Sequence, residues 1–125
     1  MSAAERRYVE AIGRLGGDDE PVPVGALARE LGVRPPSVSE MLARLASEGT
    51  VRRDAQGAAR LTAKGQRHAD ELAGRREVVE RFLAEVMRVR TEDLPAEVDR
   101  LAGVTSPGLE ARMRAALAGG HDPGA

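Results

Sequence analysis

The stretch Val24–Thr62, VGALARELGVRPPSVSEMLARLASEGTVRRDAQGAARLT, decides the fold. Val24, Leu27, Ala28 and Leu31 recur at the i, i+3, i+4, i+7 spacing that gathers them on one face of a helix. Gly32 follows, and glycine takes the left-handed conformation on which helices commonly end. Pro35-Pro36 then opens another helix, because the first helical turn has no partner for the N–H that proline lacks. Val38, Met41, Leu42 and Leu45 form the apolar stripe of this helix, while Ser37, Glu40, Arg44 and Ser47 occupy the opposite face. Helix, short glycine turn, and helix with a polar outer face is the helix-turn-helix pattern, whose second helix enters a DNA major groove. After Gly49, residues Thr50–Asp54 read as a strand, Ala55-Gln56-Gly57 as a turn and Ala58–Thr62 as a returning strand. By itself such a hairpin is an ordinary solvated surface. Directly behind a helix-turn-helix it reads as a wing, with Arg52, Arg53 and Arg60 placed for phosphates or the minor groove.

Upstream, Tyr8, Ala11, Ile12 and Leu15 mark one face of a helix from Ser2, its N-cap, to about Leu15. An acidic, proline-containing linker, Asp18–Pro23, joins it to the next helix. Downstream, Thr62 caps a long helix running to about Arg88, with Gly74 as a point where it can bend. Its apolar stripe is Val79, Phe82, Leu83 and Val86. Two shorter helices follow, Glu92–Leu101 (Leu94, Val98, Leu101) and Ser106–Leu117 (Leu109, Met113, Ala116, Leu117). These amphipathic pieces have little core of their own, so a second copy of the chain is expected to cover them. The expected fold class is mainly α: a winged helix-turn-helix with a two-stranded wing over residues 1–65, a helical dimerisation region over 66–118 and a disordered tail over 119–125.

A chain of 125 residues has room for one compact domain, or for a DNA-binding domain with a short oligomerisation appendage. Hydrophobic residues at 42% and charged residues at 31% give an ordinary globular balance, so order is expected. One Phe, one Tyr and no Trp leave the core to Leu, Val, Ala and Met. The chain has no cysteine, which removes disulfides, thiolate nucleophiles and sulfur-ligated metal sites. No run approaches the roughly 18 apolar residues of a membrane span, and the first residues lack a secretory h-region, so a cytoplasmic protein with no membrane partner is expected. Net charge is −1 but unevenly spread. Between Val24 and Arg67, Arg29, Arg34, Arg44, Arg52, Arg53, Arg60, Lys64 and Arg67 outnumber Glu30, Glu40, Glu48 and Asp54, a local basic footprint on an acidic body.

Several runs together, Tyr8-Val9-Glu10-Ala11-Ile12, Ala28–Val33, Pro36–Leu42, Leu61-Thr62-Ala63-Lys64-Gly65 and Val79-Glu80-Arg81-Phe82-Leu83, resemble the diphtheria toxin repressor and manganese transport regulator (DtxR/MntR) family of bacterial metalloregulators. The resemblance covers most of residues 5–118. It implies a dimeric winged-helix repressor that binds a palindromic operator when Mn(II) or Fe(II) is held between its two regions. It also implies ligand positions, and here this sequence departs from the pattern. The first-helix ligand falls on Arg7, with Glu10 retained nearby. The long-helix histidine falls on Arg76, with its partner retained as Glu80. The positions of the next helix fall on Pro95, Asp99, Ala102 and Gly103, of which only Asp99 coordinates. A guanidinium is a permanent cation with no lone pair to give a metal. The metal switch is therefore expected to be lost, with no cofactor, and Arg7 or Arg76 paired with Glu80, Glu10 or Asp99 in its place. His68 and His121 lie far apart and form no metal motif.

The function these readings favour is a homodimeric, sequence-specific DNA-binding transcriptional regulator, acting as a repressor on double-stranded DNA. Its expected DNA-binding residues are Arg29, Arg34, Pro36, Ser37, Ser39, Glu40, Arg44, Arg52, Arg53 and Arg60. The alternative is a winged-helix module for protein interaction or small-ligand sensing, without metal dependence. An enzyme is not expected, since the sequence has no nucleophile with a paired base, no glycine-rich phosphate loop and no convincing metal centre.

Overall fold

The computed structural model describes residues 1–16 and 20–119. The tail expected to be disordered lies, from residue 120 on, outside the described residues, and so does His121. In chain order the elements are α1 (Ala3–Gly16), α2 (Val24–Leu31), α3 (Pro35–Ser47), β1 (Val51–Arg53), β2 (Ala59–Leu61), α4 (Ala63–Glu85), α5 (Leu94–Ala102) and α6 (Pro107–Ala118). They divide into two compact units, Met1–Leu72 and Ala73–Ala125, with α4 beginning in the first and ending in the second.

In the first unit each helix end has a local cause. The Ser2 hydroxyl accepts from the Glu5 N–H at 3.1 Å, and the Ser2 N–H donates to the Glu5 carboxylate at 3.2 Å. This reciprocal capping box satisfies donors that a helix start leaves unpaired. Gly32 stops α2 at φ 66°, its N–H donating to the Ala28 carbonyl. Pro35 and Pro36 open α3 behind the extended Arg34. Tyr8, Ala11 and Ile12 of α1, Leu27 and Ala28 of α2, Val38, Leu42 and Leu45 of α3, and Val51 and Ala59 of the hairpin close over one core. Leu15 departs from expectation: it is 45% exposed. Periodicity gives the face of a helix but not how far along it the facing surface extends.

Strands β1 and β2 pair antiparallel in the register Val51↔Leu61, Arg52↔Arg60, Arg53↔Ala59. The segment read as a plain linker also takes part. Val22 exchanges two backbone hydrogen bonds with Ala59, at 2.7 and 2.9 Å, extending the hairpin by one bridge. Val22 is buried with the same core.

The second unit has its own core of Val78, Val79 and Leu83 from α4, Val98 from α5 and Met113 from α6. Helix α4 continues unbroken through Gly74. Helix α6 starts on Ser106, whose hydroxyl accepts from the Leu109 N–H. No helix of the described residues is long and apolar enough to cross a membrane.

Candidate nucleic-acid interface

Helix α3 is half buried by sequence design: Val38, Leu42 and Leu45 are fully enclosed, and the turn of the helix carries Pro36, Ser37, Glu40, Ala43, Arg44 and Ser47 to the exposed side. Ser39 sits on the flank, partly covered. Ser47 turns back to donate to the Arg44 carbonyl at 2.7 Å, so it serves the helix end. Arg34 is exposed at the N-cap and Arg29 is exposed on α2.

The wing is fixed to α3 through Thr50, which is 2% exposed. The Thr50 N–H donates to the Leu45 carbonyl, and its own carbonyl accepts from the Thr62 N–H at 3.1 Å. The Thr62 hydroxyl donates to the Gly49 carbonyl at 2.6 Å and accepts from the Gly65 N–H, capping α4 as the sequence suggested. Lys64 adds a bond from its ammonium to the Glu48 carbonyl, where the C-terminal end of α3 concentrates negative potential. Helix, wing and the first turn of α4 thus meet in one hydrogen-bonded junction. Sequence reading missed the anchoring role of Thr50, since a single buried threonine carries no periodic signal.

The three wing arginines are not equivalent. Arg52 and Arg60 are direct cross-strand partners and both exposed, so they share the outward face of the hairpin. Together with Leu61, Thr62 and Ala63 they line a cavity of about 230 Å³ at the start of α4. Arg53 alternates to the other face, opposite the buried Ala59, and is partly covered. Its Nε donates to the Gly57 carbonyl at 3.0 Å, so its guanidinium is folded onto the wing's own turn.

Ion pairing divides the arginines further. Arg29, Arg34, Arg44 and Arg52 make no ion pair among the described residues. Arg75, Arg76, Arg81, Arg90, Arg100 and Arg114, all in the second unit, are each paired with a carboxylate. Arg75 and Glu110 form a well-shielded pair, at 2.9 Å and with both side chains 17% exposed. Burial raises the Glu110 carboxyl, but the guanidiniums of Arg75 and Arg114 outweigh it and hold the group below the ordinary carboxylate range.

The residues at the expected metal positions fall in both units. Arg7, exposed, and Glu10, partly buried, are on α1 in the first. In the second, Arg76 of α4 is ion-paired with Asp99 of α5. Arg76 and Glu80 line a cavity of about 320 Å³ with Thr91, Leu94, Pro95 and Val98. Among the described residues no three His, Cys, Asp or Glu side chains group as a metal ion requires. The donor set does not fit a divalent transition ion: Asp99 is engaged by Arg76, and Pro95, Ala102 and Gly103 offer no side-chain ligand.

Two family models cover nearly all of the chain. The iron dependent repressor N-terminal DNA binding domain matches residues 1–59, and the iron dependent repressor metal binding and dimerisation domain matches residues 62–121. The chain belongs to the DtxR/MntR family of iron-dependent repressors. Its architecture is shared with solved structures. A manganese-dependent transcriptional repressor in complex with manganese is 29% identical, with a TM-score of 0.78, over 91% of this chain and 52% of its own. ScaR with bound zinc is 24% identical, with a TM-score of 0.81, over 91% and 53%. A hypothetical protein from Sulfolobus solfataricus is 20% identical, with a TM-score of 0.76, over 96% and 92%. The last two identities show the fold alone. This chain spans about half the length of the two metal-bound structures. The comparison with curated proteins gives no match.

Proposed function

We propose that this member of the DtxR/MntR family is a homodimeric, cytoplasmic DNA-binding transcriptional repressor that grips a palindromic operator without a metal co-repressor. The observation that carries the reading is the set of exposed cations around α3 and the wing, Arg29, Arg34, Arg44 and Arg52, which have no ion-pair partner among the described residues. These four exposed guanidiniums lie on the helix-turn-helix and the wing, where a cluster of open positive charge favours an external polyanion. Arg52 and Arg60, with Leu61, Thr62 and Ala63, surround a space suited to a backbone phosphate. Ser37, Ser39, Glu40 and Arg44 are the groups for base edges, with Pro36 shaping the approach.

A second copy of the chain has an apolar surface to cover in the second unit, where Met87 is 60% and Val104 77% exposed and Leu109 is also open. The metal-free half of the reading rests on the Arg76–Asp99 ion pair, which sets a permanent cation against one oxygen of the Asp99 carboxylate. One observation favours small-ligand sensing as a second reading. The 320 Å³ cavity offers Arg76 and Glu80 beside apolar Leu94, Pro95 and Val98.

The test is fluorescence anisotropy of the full chain against DNA from upstream of its own gene, with EDTA and then with Mn(II), Fe(II) or Zn(II). Equal affinity in chelator and in metal is expected, together with weakened binding by Arg44→Ala. Binding that appears only with metal overturns the metal-free half. Failure to bind under every condition overturns the regulator and leaves the ligand-sensing module.

A further inference from the structure

We infer that Glu40 is the base-reading acceptor of α3 and selects a cytosine in each half-site through its N4 amino group. The inference rests on the proposed function, since it assumes that α3 enters the major groove. Glu40 lies at the middle of the exposed face, one turn after Pro36 and one turn before Ala43 and Arg44, opposite the buried Val38, Leu42 and Leu45. Its exposed neighbours Ser37, Ala43 and Ser47 are short, so Glu40 and Arg44 are the groups that project furthest from this face.

A carboxylate there faces a polyanion, and on binding it loses water. Without a donor that exchange is unfavourable. Arg44 stands at i+4 but is not paired with it, although Glu110 and Arg114 at the same spacing and in the same order do pair at 2.8 Å. The donors exposed in the major groove are the amino groups of cytosine and adenine. Adenine sets its N7 acceptor beside the N6 donor, so the second carboxylate oxygen meets a lone pair. Cytosine sets a C–H beside its N4 donor. Cytosine is therefore the base that a carboxylate accepts without repulsion, whereas glutamine, carrying donor and acceptor together, matches adenine.

The experiment is binding-site selection from a randomised duplex library by the full-length wild type, E40Q and E40A, with affinities then measured on the selected sites. Wild type is expected to select a cytosine at one position per half-site and to lose about tenfold in affinity when it is replaced. E40Q should move that position to adenine. E40A should flatten it while binding unselected duplex more tightly, because a repulsive charge is gone. Identical preferences for wild type and E40Q overturn the inference and leave the regulator standing. A wild type that selects no sequence overturns both. Glu40 is exposed, so thermal unfolding of both variants should match wild type and separate altered reading from altered folding.

Discussion

Arg53 holds the Gly57 carbonyl across the tip of the wing, Nε to O at 3.0 Å, and Gly57 answers with φ +82°. The turn is a short loop closed by the Gly57 N–H on the Asp54 carbonyl and the Asp54 N–H on the Ala58 carbonyl. The Asp54 carboxylate accepts from the Gln56 and Ala58 N–H groups as well, each at 2.9 Å. A left-handed residue after a type I turn is the usual way to close such a loop with the twist the strands need. A methyl on Gly57 would sit 2.9 Å from the Arg53 guanidinium. Gly57→Ala is therefore expected to lose about 1–2 kcal/mol from backbone strain alone. Thermal unfolding of the full chain measures it, and an unchanged midpoint refutes the account of the wing.

Gly65 meets a harder constraint. A Cβ there would lie 2.1 Å from the Thr50 carbonyl oxygen, a backbone atom that the Thr62 N–H already holds. Alanine has the better helix propensity, by roughly 1 kcal/mol in an open helix. Here overpacking against a fixed carbonyl prevails, and Gly65→Ala should destabilise by about 1–3 kcal/mol. Urea unfolding at neutral pH decides the sign; a stabilised variant would show that α4 does not pack on Thr50.

These two glycines show how unevenly the fold was legible. The α2, turn and α3 unit was readable because its apolar spacing, Gly32 and Pro35-Pro36 are all local, and local causes survive in a sequence. The exposed positions of Ser37, Glu40 and Arg44 followed from the same periodicity. Val22 was missed because a single bridging residue has no period. That Arg53 faces away from Arg52 and Arg60 was legible too, since neighbours along a strand face opposite ways. The Arg75–Glu110 pair had no signal, because its partners are 35 residues apart and only the packing of α4 with α6 joins them.

That pair gives a pH dependence of known sign. Glu110 is held below the ordinary carboxylate range in the folded chain, so its stabilisation is complete above that range and is lost as pH falls through the lowered folded value. Glu110→Gln leaves the largely buried Arg75 without its counter-charge and is expected to cost about 1–3 kcal/mol at neutral pH. The gap between wild type and variant should narrow as acid protonates Glu110. Urea midpoints followed from neutral to acid pH test this, and a constant gap contradicts it.

Arg88 follows the last turn of α4 at φ 58°, the one non-glycine residue with positive φ among those described. The Val89 N–H reaches back over the left-handed residue to the Leu83 carbonyl at 2.9 Å, satisfying one of the last carbonyls of the helix. An L side chain there costs about 1–2 kcal/mol. Arg88→Gly removes that strain but gives the unfolded chain more freedom, worth roughly 0.5–1 kcal/mol. The net expectation is a gain of about 0.5–1 kcal/mol, seen as a rise of a few degrees in Tm.

The wing arginines separate under salt. Arg52 stands on the outward face without an ion-pair partner among the described residues, so on the proposed reading it releases a counterion from DNA when it binds a phosphate. Arg52→Ala should reduce the slope of log affinity against log salt by about one unit. Arg53 is engaged with the turn it stabilises and lies on the other face. Arg53→Ala should therefore weaken binding at every salt concentration, with the slope almost unchanged, because it loosens the wing without removing a phosphate contact. Titrations from low to moderate salt with both variants distinguish the roles. An equal fall in slope for Arg53→Ala would return it to the set of phosphate-binding side chains.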